Sequence, residues 1–305
     1  MIRVTHNHKT SSFFVTICVG VQVNDCLVFA ADSAVTLSYG NDPGGAEIIN
    51  VLPHGNKVFH LHRDLPICAM FCGLGNIGAE SIASLAKDLR VRLMHDGRDY
   101  SVDPKNYTIE EIARKCRKFF FEEKFQNLKD KPKHDLNLYV GGYSSGAVAP
   151  ERWIIQIQSA ASKCDDPMCQ GKESGLSWGG QPEAINRLVM GIPMNSTDPL
   201  KAAGLNDAQV KAVQDSFRAN CQMPFLHGAM PVQDAVDFAD FLVETTKRFV
   251  RFLPGADTVG GDTDICVVTK HEGFKWVRRK HYFNSVLNPA EVSYGSRYPI
   301  GKEND

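Results

Sequence analysis

Thr16-Ile-Cys-Val-Gly-Val21 and Leu27-Val-Phe-Ala-Ala-Asp-Ser-Ala-Val-Thr36 are the stretches that decide the fold of this chain. Both are rich in apolar and β-branched residues, and Asn24-Asp25 between them is a turn-prone pair. Phe13 to Val23 and Cys26 to Ala31 are therefore predicted as adjacent antiparallel strands of a hairpin. The hairpin puts a threonine at the head of a buried strand and an aspartate where the next strand bends. An alcohol is a poor nucleophile near neutral pH unless a base is held beside it. A threonine that becomes the first residue of its chain carries that base itself, an α-amine with a pKa of roughly 7.7 to 8.0. Residues 1–15 precede Thr16 and are expected to be a propeptide or an N-terminal extension.

Outward from the hairpin, a Gly/Asn/Asp/Pro loop at Tyr39 to Gly45 is followed by a second predicted hairpin, Lys57 to His62 and Pro66 to Cys72, turning at Arg63-Asp64. Four strands thus precede the first helix. Helices are predicted over Ile77 to Met94 and Thr108 to Leu128, the second opening with the capping pattern Thr108-Ile-Glu-Glu111. Strands resume at Leu136 to Tyr143 and Arg152 to Gln158. Helices return at Pro182 to Met190, Asp207 to Phe217 and Val232 to Phe252, and a hairpin of Thr263 to Thr269 with Phe274 to Arg278 closes the pattern. Tight turns between consecutive strands allow only antiparallel pairing, which excludes a doubly wound sheet. The expected fold class is α+β, an αββα four-layer sandwich with two antiparallel sheets between helical layers. It forms a single domain over residues 16–288, with a loosely attached Pro/Gly/Ser-rich tail over 289–305.

With 34 Lys and Arg against 35 Asp and Glu, the net charge of -1 gives no general attraction for nucleic acid or an anionic membrane. No apolar run reaches the roughly 18 to 20 residues that span a bilayer, and the N-terminus lacks a secretory signal's apolar core, so a cytoplasmic location is expected. The nine cysteines are an odd number scattered through predicted elements, which reads as small buried apolar residues and not as a disulfide framework. Cys164 and Cys169 have no second Cys/His pair near them and read as a loop with two free thiols. The ten histidines form no metal-ligand spacing, and no metal is expected. Phe119-Phe-Phe121 with Phe125 reads as a core or subunit-contact stripe.

In order along the chain, Thr16 to Val21, Ala30-Ala-Asp-Ser-Ala-Val-Thr36, Gly55-Asn-Lys-Val-Phe59 and Phe71-Cys-Gly-Leu-Gly75 resemble the successive signatures of proteasome β subunits and their bacterial relatives, which are N-terminal-nucleophile (Ntn) hydrolases. Val259-Gly-Gly-Asp-Thr-Asp-Ile-Cys-Val-Val268 is a weaker echo of a strand near that family's C-terminus. The resemblance implies a threonine-type peptidase or amidase that attacks amide bonds of a peptide or protein substrate through Thr16, once residues 1–15 are removed. It implies further that Lys57 is the active-site lysine, paired with Asp32, and that the Gly73 N–H is an oxyanion donor. Thr36 is implied to pair with an extended substrate, and Phe71 and Cys72 to line its pocket. No cofactor is implied, and the implied partners are further copies of the chain in a homo-oligomeric ring, with an unfoldase as a candidate. Where the family's two supporting serines are expected, this chain has Val259 and Gly179, leaving Asp257 as a candidate support whose register is offset.

Two alternatives remain open. One is a non-catalytic structural or binding subunit that keeps its extension. The other is a nucleotide-binding oxidoreductase using Gly73-Leu-Gly-Asn-Ile-Gly78, a glycine pattern that follows a strand and opens a helix.

Overall fold

β1 (Ile17–Gln22) and β2 (Cys26–Ala31) form a hairpin in register Cys18 to Ala31 through Gln22 to Leu27, and every residue of both strands is buried. Burial on both faces explains why the run reads as continuously apolar instead of alternating. The computed structural model describes residues 16–39, 47–95, 99–132 and 134–283, so the expected extension 1–15 and tail 289–305 lie outside the described residues. In chain order the further strands before the first helix are β3 (Val35–Tyr39), β4 (Glu47–Leu52), β5 (Val58–His60), β6 (Ile67–Gly73), β7 (Asn76–Ile77) and β8 (Glu80–Ser81).

After α1 (Ile82–His95), α2 (Ile109–Arg117) runs on into a π-helical segment, Lys118–Phe125. Then come β9 (Leu136–Gly142), β10 (Glu151–Gln158), β11 (Lys163–Cys164), β12 (Met168–Gly171) and β13 (Gly175–Gly180). The short α3 (Glu183–Ile185), also continued by a π-helical segment, α4 (Thr197–Ala202), α5 (Asp207–Asn220) and α6 (Val232–Arg251) lead to β14 (Asp264–Thr269) and β15 (Gly273–Arg278).

Two larger sheets result. One has the order β13-β1-β2-β14-β15, and the other β11-β10-β9-β6-β5 with β12 also on β10. All pairings in them are antiparallel. Three apolar cores stack through the molecule. Cys18, Phe29, Met70, Tyr139 and Cys266 fill the space between the sheets. Val19, Val21 and Val28 pack outward against α6 through Ala239, Leu242 and Val243. Phe59, Phe71 and Leu138 pack outward against α1 and α2 through Leu85, Leu89 and Ile112. Phe119, Phe120, Phe121 and Phe125 all belong to this last core.

Several elements differ from those expected. The span between Asp32 and Lys57 holds the β3–β4 hairpin, not only a loop. Its alternating text, Val35-Thr-Leu-Ser-Tyr39 and Glu47-Ile-Ile-Asn-Val-Leu52, satisfies strand periodicity but is masked by the glycines between. β13 was not expected because Gly175-Leu-Ser-Trp-Gly-Gly180 has no β-branched residue; its pairing with β1 holds it extended. Cys164 and Cys169 lie on β11 and β12 instead of a loop, and both are free thiols. The first helix starts at Ile82 because Gly78 (φ 60°) closes the β7–β8 turn ahead of it. That turn also removes the basis for dinucleotide binding. The glycine pattern sits between antiparallel strands and lacks the parallel strand–helix–strand unit whose helix N-terminus would receive a pyrophosphate.

Candidate active site

The β1–β2 hairpin sets Thr16 beside the bend that carries Asp32, and the two meet: Thr16 Oγ1 donates to Asp32 Oδ1 at 2.7 Å. Lys57, one residue before β5 on the opposite sheet, reaches across. Its Nζ donates to Asp32 Oδ1 at 2.6 Å and also to Thr16 Oγ1. All three are buried, Asp32 completely. A buried carboxylate is costly unless its lone pairs are filled. Here Oδ1 accepts from Thr16, Lys57 and the Ile17 N–H (3.0 Å), while Oδ2 accepts from the N–H groups of Ala34 (3.1 Å) and Gly260 (3.0 Å). Five donors fix one anion, and the anion and the Lys57 cation together fix the hydroxyl.

Thr16 has φ 145°, a region that β-branched side chains rarely enter. The neighbouring strand over-determines it. Gln181 N donates to Thr16 O at 2.7 Å, and Gly180 (φ 97°) packs so closely that a Cβ there would lie 2.1 Å from that oxygen. Strain is thus held at the residue whose preceding peptide bond would have to break to free an amine.

Gly73 ends β6 with φ 102°, and a Cβ at this position would lie 2.0 Å from Asp135 O, so only glycine fits. Phe71 N donates to Lys57 O at 3.0 Å. Alternation along a strand then turns the Gly73 N–H toward that same edge of β6, beyond the first residue of β5. The donor therefore faces the side on which Lys57 stands.

The other candidates are dispersed. Thr36 lies on β3, which pairs only with β4 among the described strands, and its Oγ1 is buried without a hydrogen-bond partner. The Phe71 side chain stacks on Phe59 at 5.6 Å in the core under α1 and α2, where it borders a small internal cavity, because alternation along β6 turns it to that face. Cys72 faces the space between the sheets with Cys18, whose thiol donates to Phe71 O and is pushed well above its ordinary pKa by burial. Asp257 is exposed and makes none of the contacts to Asp32; its segment reaches the carboxylate through the Gly260 N–H instead.

Val259, where a hydroxyl was looked for, is 2% exposed in the core under α6. At Gly179 there is no room for a side chain, since a Cβ would meet Tyr139 Oη at 2.5 Å and Cys72 Sγ at 2.9 Å. The residues that the sequence did not nominate are Gly260, Ser33, Asp264 and Lys280, described below. Among the described residues no cluster of His, Cys, Asp or Glu is arranged to hold a metal, and no helix is long and apolar enough to cross a membrane.

No family model matches the chain, and no curated protein does. Among solved structures it is similar to one titled a helical assembly of the Anbu complex from Pseudomonas aeruginosa, at 16% sequence identity, covering 89% of this chain and 90% of that one, with a TM-score of 0.47. The resemblance to proteasome β subunits and their bacterial relatives, drawn from four motifs, is corrected: short motifs report a hairpin, a lysine and a glycine turn, but no family model matches the chain.

Proposed function

We propose that this chain is a hydrolase of amide bonds with an N-terminal threonine nucleophile on an αββα sandwich. The observation that carries the reading is the sharing of Thr16 Oγ1 between Lys57 Nζ and Asp32 Oδ1 in a buried site. In the uncut chain the Thr16 nitrogen is an amide and cannot accept a proton. Cleavage between Val15 and Thr16 would relieve the strained φ and leave an α-amine beside the hydroxyl. Thr16 Oγ then bonds to the substrate carbonyl carbon while its proton passes to the amine. The tetrahedral oxyanion accepts from the Gly73 N–H, a type of donor worth roughly 3 kcal/mol. Collapse breaks the C–N bond, the leaving amine takes the proton, and water hydrolyses the ester to regenerate Thr16. The Lys57 cation lowers the energy of the developing alkoxide, and Asp32 holds that cation in place.

An extended peptide would bind by adding to the edge of β3 that is not paired with β4, next to Thr36. A cytoplasmic location goes with this reading. A non-catalytic protein on the same scaffold is the second reading, favoured by the absence of a hydroxyl at both Gly179 and Val259. Intact mass separates the two. Loss of residues 1–15, abolished in Thr16→Ala, together with labelling of Thr16 by an electrophile directed at N-terminal threonine, supports the hydrolase. A purified chain that keeps residues 1–15 and is never labelled rejects it.

A further inference from the structure

We propose that Lys280 is a positioning residue for the Thr16 centre, acting through Ser33. For its kinetic consequence, though not for its geometry, the proposal rests on the reading of Thr16 as a nucleophile.

Ser33 is a junction. It follows Asp32 in the chain; its N–H donates to Gly260 O at 2.9 Å, and its carbonyl accepts from the Gly55 N–H at 2.7 Å, two residues before Lys57. Its hydroxyl donates to the backbone oxygen of Asp262. One residue thus grips both ends of the Gly260–Asp262 turn and the approach to Lys57. The turn itself supplies the Gly260 N–H to Asp32 Oδ2, and Gly261 (φ 72°) passes so near Pro53 O that a Cβ would lie 2.3 Å from it.

A serine that has spent its one proton on Asp262 O needs a donor for its own oxygen. Lys280 is that donor, with Nζ 2.6 Å from Ser33 Oγ. Lys280 is anchored in turn, since Nζ also donates to Asp264 Oδ2 and its backbone N–H donates to Asp264 Oδ1 at 3.1 Å. The side chains of Lys280 and Asp264 are 11% and 3% exposed. The segment following β15 therefore reaches back to the site from the far end of the sheet. The hydrogen bonds of Lys280 go to Ser33 and Asp264, not to Thr16, Asp32 or Lys57. What it fixes is the serine that orients the turn, and through the turn one of the two Asp32 oxygens.

Lys280 lies at the wall of a cleft of about 330 Å³, lined also by Glu244, Lys247, Thr263 and Arg279. Lys280 itself borders the cleft, which gives water a route to the place its ammonium vacates, so Lys280→Met is expected to fold. The test compares full-length wild type, Lys280→Met and Lys280→Arg by backbone amide exchange and by turnover of an amide substrate. In Lys280→Met, exchange in residues 258–262 is expected to quicken about tenfold while β2 and β6 keep their protection. kcat is expected to fall about tenfold at unchanged KM, with partial rescue in Lys280→Arg.

Unchanged exchange at Gly260 overturns the proposal. So does a uniform rise across all strands, which a merely stabilising lysine would give. If wild type never reacts at Thr16 yet Lys280→Met loosens 258–262 alone, the hydrolase reading fails and the positioning role stands. Should Lys280→Met not fold, Ser33→Ala, which removes only the hydroxyl, is read by the same criteria.

Discussion

Among the described residues, two buried groupings of lysine, aspartate and hydroxyl stand on either side of one bend. In the first, Lys57 pairs with Asp32 and both hold Thr16; in the second, Lys280 pairs with Asp264 and donates to Ser33. Their ingredients match, yet the hydroxyls are committed differently. Ser33 gives its proton to a backbone carbonyl, which no proton-transfer step can alter, and its own nitrogen lies inside the chain bonded to Gly260 O. Thr16 gives its proton to a carboxylate that is itself held by four other donors, and its nitrogen becomes a base if the single peptide bond before it is cut. What separates a nucleophile from a fastener is therefore not the triplet of residue types. It is what the hydroxyl's proton is tied to and whether a base can be released beside it.

Removing each hydroxyl in turn tests that contrast most severely. Thr16→Ala is expected to lower amide turnover by roughly 10³-fold or more and to leave the Val15–Thr16 bond intact, read by intact mass and a labelled-electrophile assay. Ser33→Ala is expected to reduce turnover only about tenfold, as the loss of a positioning contact does. Equal losses would abolish the distinction between the two groupings.

The lysines give the next contrast, in stability. Lys57→Met leaves Asp32, wholly buried, without its cation, and a lone buried charge of this kind costs about 3 to 5 kcal/mol. Lys280→Met removes a cation that borders a cleft, where water can take the ammonium's place, and about 1 to 3 kcal/mol is expected. Urea unfolding of both variants, with slopes compared as well as midpoints, measures the difference. A larger loss for Lys280→Met would mean that the second pair is the better enclosed one.

Of these two groupings, the sequence disclosed the first and concealed the second, and the reason is physical. Thr16, Asp32 and Lys57 each sit next to a strongly patterned strand, so local text reports where they stand. The strand runs 17–22, 26–31, 67–73, 136–142 and 264–269 are legible for the same reason: apolar, β-branched and bounded by turns. Lys280 follows the exposed, charged end of β15, where Arg278-Arg279-Lys280 reads as a solvated strand end; only the tertiary fold turns one of those three side chains inward. Gly260 contributes a backbone N–H, which no residue type advertises. Phe71 illustrates the opposite error. Its place in a motif suggested a pocket, but side-chain alternation along β6 commits it to the helix-covered core. β13 escaped notice because its strand conformation comes from pairing with β1, not from propensity.

The smallest expected effect concerns Gly179, one of the two positions where a further hydroxyl was looked for. Gly179 on β13 pairs with Cys18 of β1, two residues from Thr16, and serine there would make the Thr16 grouping richer in hydroxyls than that of Ser33. The packing argues against it. A Cβ at 179 would stand 2.5 Å from Tyr139 Oη, and that phenol is itself held only by a long contact of 3.4 Å to Trp178 O. Gly179→Ser is therefore expected to destabilise the protein by about 1 to 3 kcal/mol through overpacking, with no gain in turnover. Tyr139→Phe alone gives up only that weak hydrogen bond. Combined with Gly179→Ser, it is expected to recover part of the loss, because the nearest obstructing atom is gone while Cys72 Sγ remains at 2.9 Å. Thermal melts of the two single variants and the double variant measure the coupling. Strict additivity would mean that the phenol does not occupy the space at 179, whereas a positive coupling would make Tyr139 the residue that keeps a serine out of this position.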